Sequence, residues 1–484
     1  MDNENMALVD QSKIPLRRVL GLTSGILIVT GSIIGSGVFK KIAPMSAVLM
    51  NREYILLAWA LAGIVSIFGA FTMAGMATMT SDSGGIYEYL RISFGNFFSF
   101  LFGWASFLVI GSGGNAALAF IFSQSVNSIV PLHDPLHNWQ HISIGNYLFP
   151  FESSGIKIMA MGAIVLLTWI NILGAKKGGY LNNIVTVTKI LGILLLIIMG
   201  LTYHGIPPHE NIHHEIYLVN NNLFSAVIVA MLSAFWAYDG WYCIGFVSGE
   251  IKNPKRNIPI AIICGIGLTM IIYLLLNDAF MHVMPVTALS AIDQNDIAAL
   301  DVARILSGNI GALFISILIS ISTFGALNMF IFSYPRLYYR MAQERFFPIK
   351  ASYVHPRYKT PYVALIYSGI WSSVMVVSGT FDILTNMLIL VEFLFFALLG
   401  WGLIKMKRQG KITAKLIAYP LSPVILIVFS LGLIINTCIE LPVQSIAGIM
   451  LTLTGVPVYY YYKKKNNKPG LVQNESEAYH DLGL

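Results

Sequence analysis

Three glycines and two serines stand within seven residues, Gly31-Ser32-Ile33-Ile34-Gly35-Ser36-Gly37, inside a run apolar and long enough to cross a bilayer. Each glycine weakens a helix by about 1 kcal/mol relative to alanine. An unpaired peptide group in lipid costs several kcal/mol, so a break survives there only against protein or a watery cavity. The chemistry available to such a break is recognition of a small charged solute by bare peptide groups. From Ser36 onward a new half-helix begins, and the amides of Ser36, Gly37 and Val38 at its positive end suit a carboxylate. The carbonyl of Ile33, closing the preceding half, suits an ammonium group. The competing interpretation is a small-xxx-small packing face, which Gly31 and Gly35 also satisfy.

A second interruption reads SAFWAYDGWYCIG over 233–245. Asp239 is an acid deep in a span, where ionisable groups are costly and by default functional. It can contact a substrate ammonium, bond a gate, or cap the second half-helix. The carbonyl of Trp236 is a further acceptor for the amine, and its indole can close over a solute as a gate or simply pack between helices. Lys189, in VTVTKILGILLL, lies too far from either end of its span to snorkel easily. A fixed ammonium there can take the place of a sodium ion and tie helices one, five and eight together, or release a proton during transport. Glu392, in LILVEFLFFALL, is a proton carrier, a specificity element, or a partner for a helix end. Gly35, Gly240, Asn328 and Glu392 are candidate lining residues, while Asp278 reads as boundary solvation at an outer end.

The elements that must carry these residues are twelve apolar runs. They fall near 18–48, 54–79, 95–128, 155–173, 181–202 and 223–250, then 257–283, 309–340, 360–379, 382–404, 416–438 and 442–462. The segment 83–95 mixes apolar and charged residues and predicts a short helix on the cytoplasmic face. The interrupted spans are the first and the sixth, five helices apart, which predicts two five-helix units with a site at the membrane midplane.

Composition agrees. Of 484 residues 56% are hydrophobic and 11% charged, about half the charge of a soluble chain. The net charge of +7 is topological rather than a nucleic-acid signal. Arg17, Arg18, Lys252, Arg336, Arg340, the 405–415 cluster and the Lys463–Lys468 tail fall on one side, and only Lys40, Lys41, Arg52, Lys157 and Arg304 on the other. The positive-inside rule then puts both termini in the cytoplasm. Cys243, Cys264 and Cys438 all lie in apolar runs, so neither a metal site nor a disulfide-linked heavy chain is expected. His209-Glu210-Asn211-Ile212-His213 matches the zinc-peptidase pattern, but sits in a short loop behind Pro207 and Pro208 with no catalytic domain around it. The chain is not expected to be an enzyme, nor to need a cofactor.

With those residues in hand, a resemblance can be named. GSIIGSGVF, SGGIYEYLRISFG, FWAYDGWYCIGFVSGEIKNPKRNIPIAI and HPRYKTPYVALI resemble the signatures of the amino acid–polyamine–organocation superfamily, close to its L-type amino acid transporters in bacteria. The resemblance spans residues 15–465. It implies an all-α membrane protein with a five-plus-five inverted repeat, the LeuT-like arrangement, broken in helices 1 and 6, plus two added helices. It implies substrate carboxylate at Ser36 and Gly37, amine at the carbonyls of Ile33 and Trp236, Trp236 as gate, and Lys189 as the lysine associated with sodium-independent exchange.

The expected organisation is a tail over 1–15, a ten-helix transport core over 16–404, two additional helices over 405–463 and a tail over 464–484. The expected function is sodium-independent exchange of neutral L-amino acids by alternating access in the cell (inner or plasma) membrane. Neutral substrates are expected because no acidic or basic cage lines the predicted pocket. Proton-coupled amino acid symport is the alternative transport mode, and a non-transporting amino acid sensor the alternative of another class.

Overall fold

A computed structural model describes residues 18–80, 84–143, 150–205, 223–292, 296–378 and 381–466. The HENIH stretch at 209–213 and the tail 1–15 lie outside the described residues, as does most of 464–484. The described regular structure is helical, and the one β contact among the described residues is an isolated parallel bridge between Leu20 and Ile251.

Ten helices are long and apolar enough to cross a membrane, and the shorter apolar helices Leu223–Tyr238 and Tyr362–Ser378 complete the twelve expected spans. The first span runs Leu22–Ile33, then Gly37–Lys40 and Ile42–Leu49; the second is Arg52–Ala77. The third runs Asn96–Asn127, the fourth Ser154–Ile172 and the fifth Ala175–Leu201. The sixth is Leu223–Tyr238 followed by Cys243–Phe246, and the seventh Pro254–Val283. The eighth is Ala298–Gln343, the ninth Tyr362–Ser378 and the tenth Phe381–Arg408. The last two are Leu421–Glu440 and the pair Pro442–Leu453 and Gly455–Asn466. The segment 83–95 contains the helix Ile86–Phe94.

Local chemistry accounts for several boundaries. Asn51 caps the second span, its side chain accepting from the Tyr54 amide at 3.1 Å. Pro254 opens the seventh span at a position where its missing N–H costs nothing. The eighth helix begins earlier than its apolar run because a kink at Ser307 and Gly308 joins a preceding helix to it. In the third span, Ser106–Ile110 forms a π-helical turn, and the carbonyl of Ser106 accepts from the Tyr338 hydroxyl at 2.9 Å. Asp278 is not merely solvated: Arg52 reaches it from the second span at 2.6 Å.

The spans pair in a pattern that repeats when five is added to each ordinal. One packs on seven and six on two; one on five and six on ten; five on eight and ten on three; three on four and eight on nine. Two on seven, three on eight and four on nine map onto themselves. This is the packing that a repeat of two five-helix units produces. Large apolar side chains such as Val165, Leu191, Ile198, Ile435 and Ile439 stay exposed on outward faces, as helices bathed in lipid require. Polar residues gather inside, around the first and sixth spans.

Candidate functional site

Both interruptions are real breaks. The first helix stops at Ile33, Ile34 is extended with ψ 90°, and helical geometry resumes at Gly37. Among the described residues, no backbone carbonyl accepts from the amides of Ser36, Gly37 or Val38, while Phe39 and Lys40 already bond back to the Ser36 carbonyl. The free end is therefore polar and positive. The Ser36 hydroxyl is buried without a partner.

The sixth span leaves helical geometry after Tyr238 and resumes at Cys243, with Gly240 at φ 96° carrying the turn. A Cβ on Gly240 would lie 3.0 Å from the Ser32 carbonyl, in a conformation side chains rarely adopt. Asp239 does not cap the second half: both carboxylate oxygens are buried with no hydrogen-bond partner. The two breaks are tied directly. Ser32 Oγ lies 2.9 Å from the Gly240 carbonyl. The Tyr273 hydroxyl lies 3.1 Å from the Ile33 carbonyl and 2.9 Å from the Ala237 carbonyl, bridging the last turns of both first halves. The Ile33 carbonyl thus has one neighbouring donor already and one lone pair to spare.

Lys189 is fully buried and donates to the carbonyls of Gly31, at 2.7 Å, and Ile34. Ser322 of the eighth span approaches the carbonyls of Ile34 and Gly35, at 3.1 Å each. A cation and a hydroxyl from two different spans thereby occupy the carbonyls that the first break sets free.

A narrow cleft lies at the crossing of the breaks. Of the residues singled out in the sequence, Ile33, Gly35, Ser36, Gly37, Trp236 and Asp239 line it. Others do not. Val38 is buried outside the lining, and Lys189 sits behind the first span. Gly240 serves the turn rather than the cleft wall. Asn328 accepts from Asn171 Nδ2 at 2.9 Å, linking the fourth and eighth spans. Glu392 faces a second, tight space between the second, sixth, tenth and eleventh spans. Asp239 lines both spaces. The expected absence of an acidic or basic cage stands beside a single acid in the cleft lining, Asp239, the carboxylate named in the sequence as a contact for a substrate ammonium.

Sequence reading missed Tyr273, Ser322, Leu118 and Phe330. Leu118 and Phe330 wall the cleft from the third and eighth spans, and nothing distinguishes them from ordinary core residues in the sequence. Tyr273 is a single polar side chain in an apolar run, and Ser322 is one of several hydroxyls in its own, beside Ser316, Ser320 and Thr323, a signal shared with many structural hydroxyls.

The family model for amino acid permeases matches residues 20–460, which takes in both breaks and every span. The chain belongs to the amino acid permease family. The permease is similar to the serine/threonine exchanger SteT of Bacillus subtilis, 30% identical over 454 residues that cover 92% of this chain and 97% of the relative. It is 31% identical over 457 residues to the b(0,+)-type amino acid transporter 1 of Mus musculus, covering 92% and 88% of the two chains. It is 29% identical over 466 residues to the large neutral amino acids transporter small subunit 2 of Homo sapiens, covering 94% and 82%. The permease is thus a multi-pass membrane transporter and not an enzyme.

Proposed function

We propose that the permease exchanges neutral L-amino acids across the cell membrane without sodium, by alternating access. The observation that carries this reading is the crossing of two broken helices whose free peptide groups converge on one cleft. The substrate carboxylate sits at the amides of Ser36, Gly37 and Val38, where the half-helix end is positive. The ammonium sits toward the carbonyls of Ile33 and Trp236, with Asp239 beside it and Trp236 closing the cleft as gate. Lys189 holds its amine against the carbonyls of the first break, in the place a sodium ion would take. The exchange mode is supported by the name of the Bacillus subtilis relative.

In this reading residues 16–404 form the transport core and 405–463 two added helices, between short tails over 1–15 and 464–484. Both termini are cytoplasmic because Lys and Arg cluster on that side. The three cysteines lie within membrane helices, so no disulfide-linked heavy chain is required.

Counterflow into proteoliposomes tests the proposal. Uptake of a labelled amino acid should require unlabelled amino acid inside, be unchanged by sodium, and be lost in Ser36→Leu. Uptake driven by a pH gradient into empty liposomes would establish symport instead, and binding without flux would establish a sensor.

A further inference from the structure

One face of the last span is apolar along its length and basic at its end. Pro442–Leu453 and Gly455–Asn466 run on as one rod, because Thr454 between them keeps right-handed helical angles, φ −57° and ψ −22°. Ile446, Met450, Leu453, Pro457, Tyr461 and Lys464 recur every three or four residues along it and so share a face. All six are exposed. The opposite face, with Gly448, Thr452, Gly455 and Tyr459, is buried against the protein. Lys463, Lys464 and Lys465 close the rod, all of them exposed. The eighth span brings a further cation to the same end. Asn466 Nδ2 donates to the Arg345 carbonyl at 3.1 Å, which places exposed Arg345 next to the lysine run. The Phe346 ring stacks on Tyr459 at 5.5 Å, and Phe97 meets Tyr459 edge-on at 5.2 Å. Glu344, the acid beside Arg345, is already paired with Arg340 at 3.1 Å.

We infer that this face binds an anionic phospholipid. Its acyl chains lie along Ile446, Met450 and Leu453, its glycerol backbone at the level of Pro457 and Tyr461, and its phosphate among Lys463, Lys464 and Arg345. The order of residue types carries the assignment. Apolar, then aromatic, then cationic is the order in which a phospholipid is met from tail to headgroup. A soluble polyanion would use the lysines alone and leave the apolar part of the stripe uncovered. A zwitterionic phospholipid would fill the lane but bring its own cation to a cationic end. The positive-inside placement of this end turns the lysines toward the leaflet that holds anionic lipids. Occupancy has a consequence for the fold. Tyr459 and Asn466 dock the rod on the turn that ends the eighth span, so a headgroup that relieves repulsion among the three lysines also steadies that turn.

Native mass spectrometry of the full-length permease in detergent tests this, with phosphatidylglycerol and phosphatidylcholine of the same acyl chains offered together. A basic side chain beside an anionic surface contributes about fivefold in affinity. The wild-type permease should therefore prefer phosphatidylglycerol at least fivefold. The triple variant Lys463→Gln, Lys464→Gln, Lys465→Gln should lose most of that preference. The control Lys252→Gln, Lys255→Gln, Arg256→Gln takes three exposed charges from the same side of the membrane and should keep it. Should the first triple variant fail to insert, Lys464→Glu alone is read by the same ratio. Equal binding of the two lipids by the wild type overturns the inference, as does a preference that the lysine variant retains. Equal loss in both triple variants also overturns it, by making the preference a property of total charge. Displacement of phosphatidylglycerol by millimolar glycerol phosphate would do the same, by making the site one for soluble phosphates. The readout is lipid binding, so absence of amino acid counterflow would defeat the transport reading and leave this result standing.

Discussion

Gly37 and Ala237 meet back to back where the two broken helices cross: a Cβ on Gly37 would lie 2.5 Å from both the Cα and the Cβ of Ala237. Only a hydrogen fits between the first break and the sixth span. The close approach holds the free amides of the first break beside Trp236 and Asp239, so the geometry of the cleft depends on it.

Gly37→Ala should therefore part the two half-helices or strain them, at a cost of about 1–3 kcal/mol for overpacking. Counterflow should fall at least tenfold. Gly432→Ala, where an added Cβ meets nothing within 4 Å, is the control and should transport normally. Wild-type flux in Gly37→Ala would show that the crossing tolerates separation.

Lys189→Ala should impair transport and stability together. It removes the donor from the carbonyls of Gly31 and Ile34, and a buried group left without its partner costs about 1–3 kcal/mol. Lys189→Met, which restores volume but not the donor, should behave like the alanine variant. Thermal unfolding in detergent and initial counterflow rates check both; recovery by methionine would reduce the lysine to a space filler.

Tyr273→Phe deletes the hydroxyl that bridges the carbonyls of Ile33 and Ala237, while the ring keeps its edge-on contact with Trp59. A single hydrogen bond contributes about 0.5–1.5 kcal/mol. The substrate-free protein should melt earlier by that small increment, and substrate should stabilise the variant more than the wild type, because the Ile33 carbonyl is then open to the ammonium. Thermal shift with and without substrate decides; equal ligand-induced shifts would contradict the assignment of that carbonyl.

Glu250 and Arg336 form a buried pair at 2.8 Å between the segment after the sixth span and the eighth span, with the guanidinium 3.9 Å from the Phe332 ring. Removing one partner leaves the other buried and uncompensated, at about 3–5 kcal/mol. Glu250→Ala or Arg336→Met alone should destabilise more than half as much as the double variant, so the two losses should not add. Simple additivity in denaturation midpoints would mean the two charges act independently.

The spans, their order and the two interruptions were legible in the sequence because each is a local property. Membrane helices must be apolar over a fixed length, and glycine with polar residues in such a run has few uses besides a break. The identity of the residues at the cleft followed where the break itself supplies the groups, as at Ile33, Ser36, Gly37 and Trp236. It failed where a side chain's direction decides. Asn328 sits on the right helix yet turns toward Asn171. Asp278 stands at the right depth yet meets Arg52 from a helix more than two hundred residues away in sequence. Asp239 has the composition of a helix cap yet takes no hydrogen bond.

What the sequence determined by itself is the class of machine: twelve spans, two of them interrupted five helices apart, and a buried lysine. Tertiary structure alone decided what the interrupted helices touch. Tyr273, Ser322 and Lys189 come from three different spans to claim the freed carbonyls, and Asp239 is left to join two cavities. The physical reason is that burial and apolarity are written residue by residue along the chain, whereas pairing of a polar group depends on the rotation and offset of every helix packed around it.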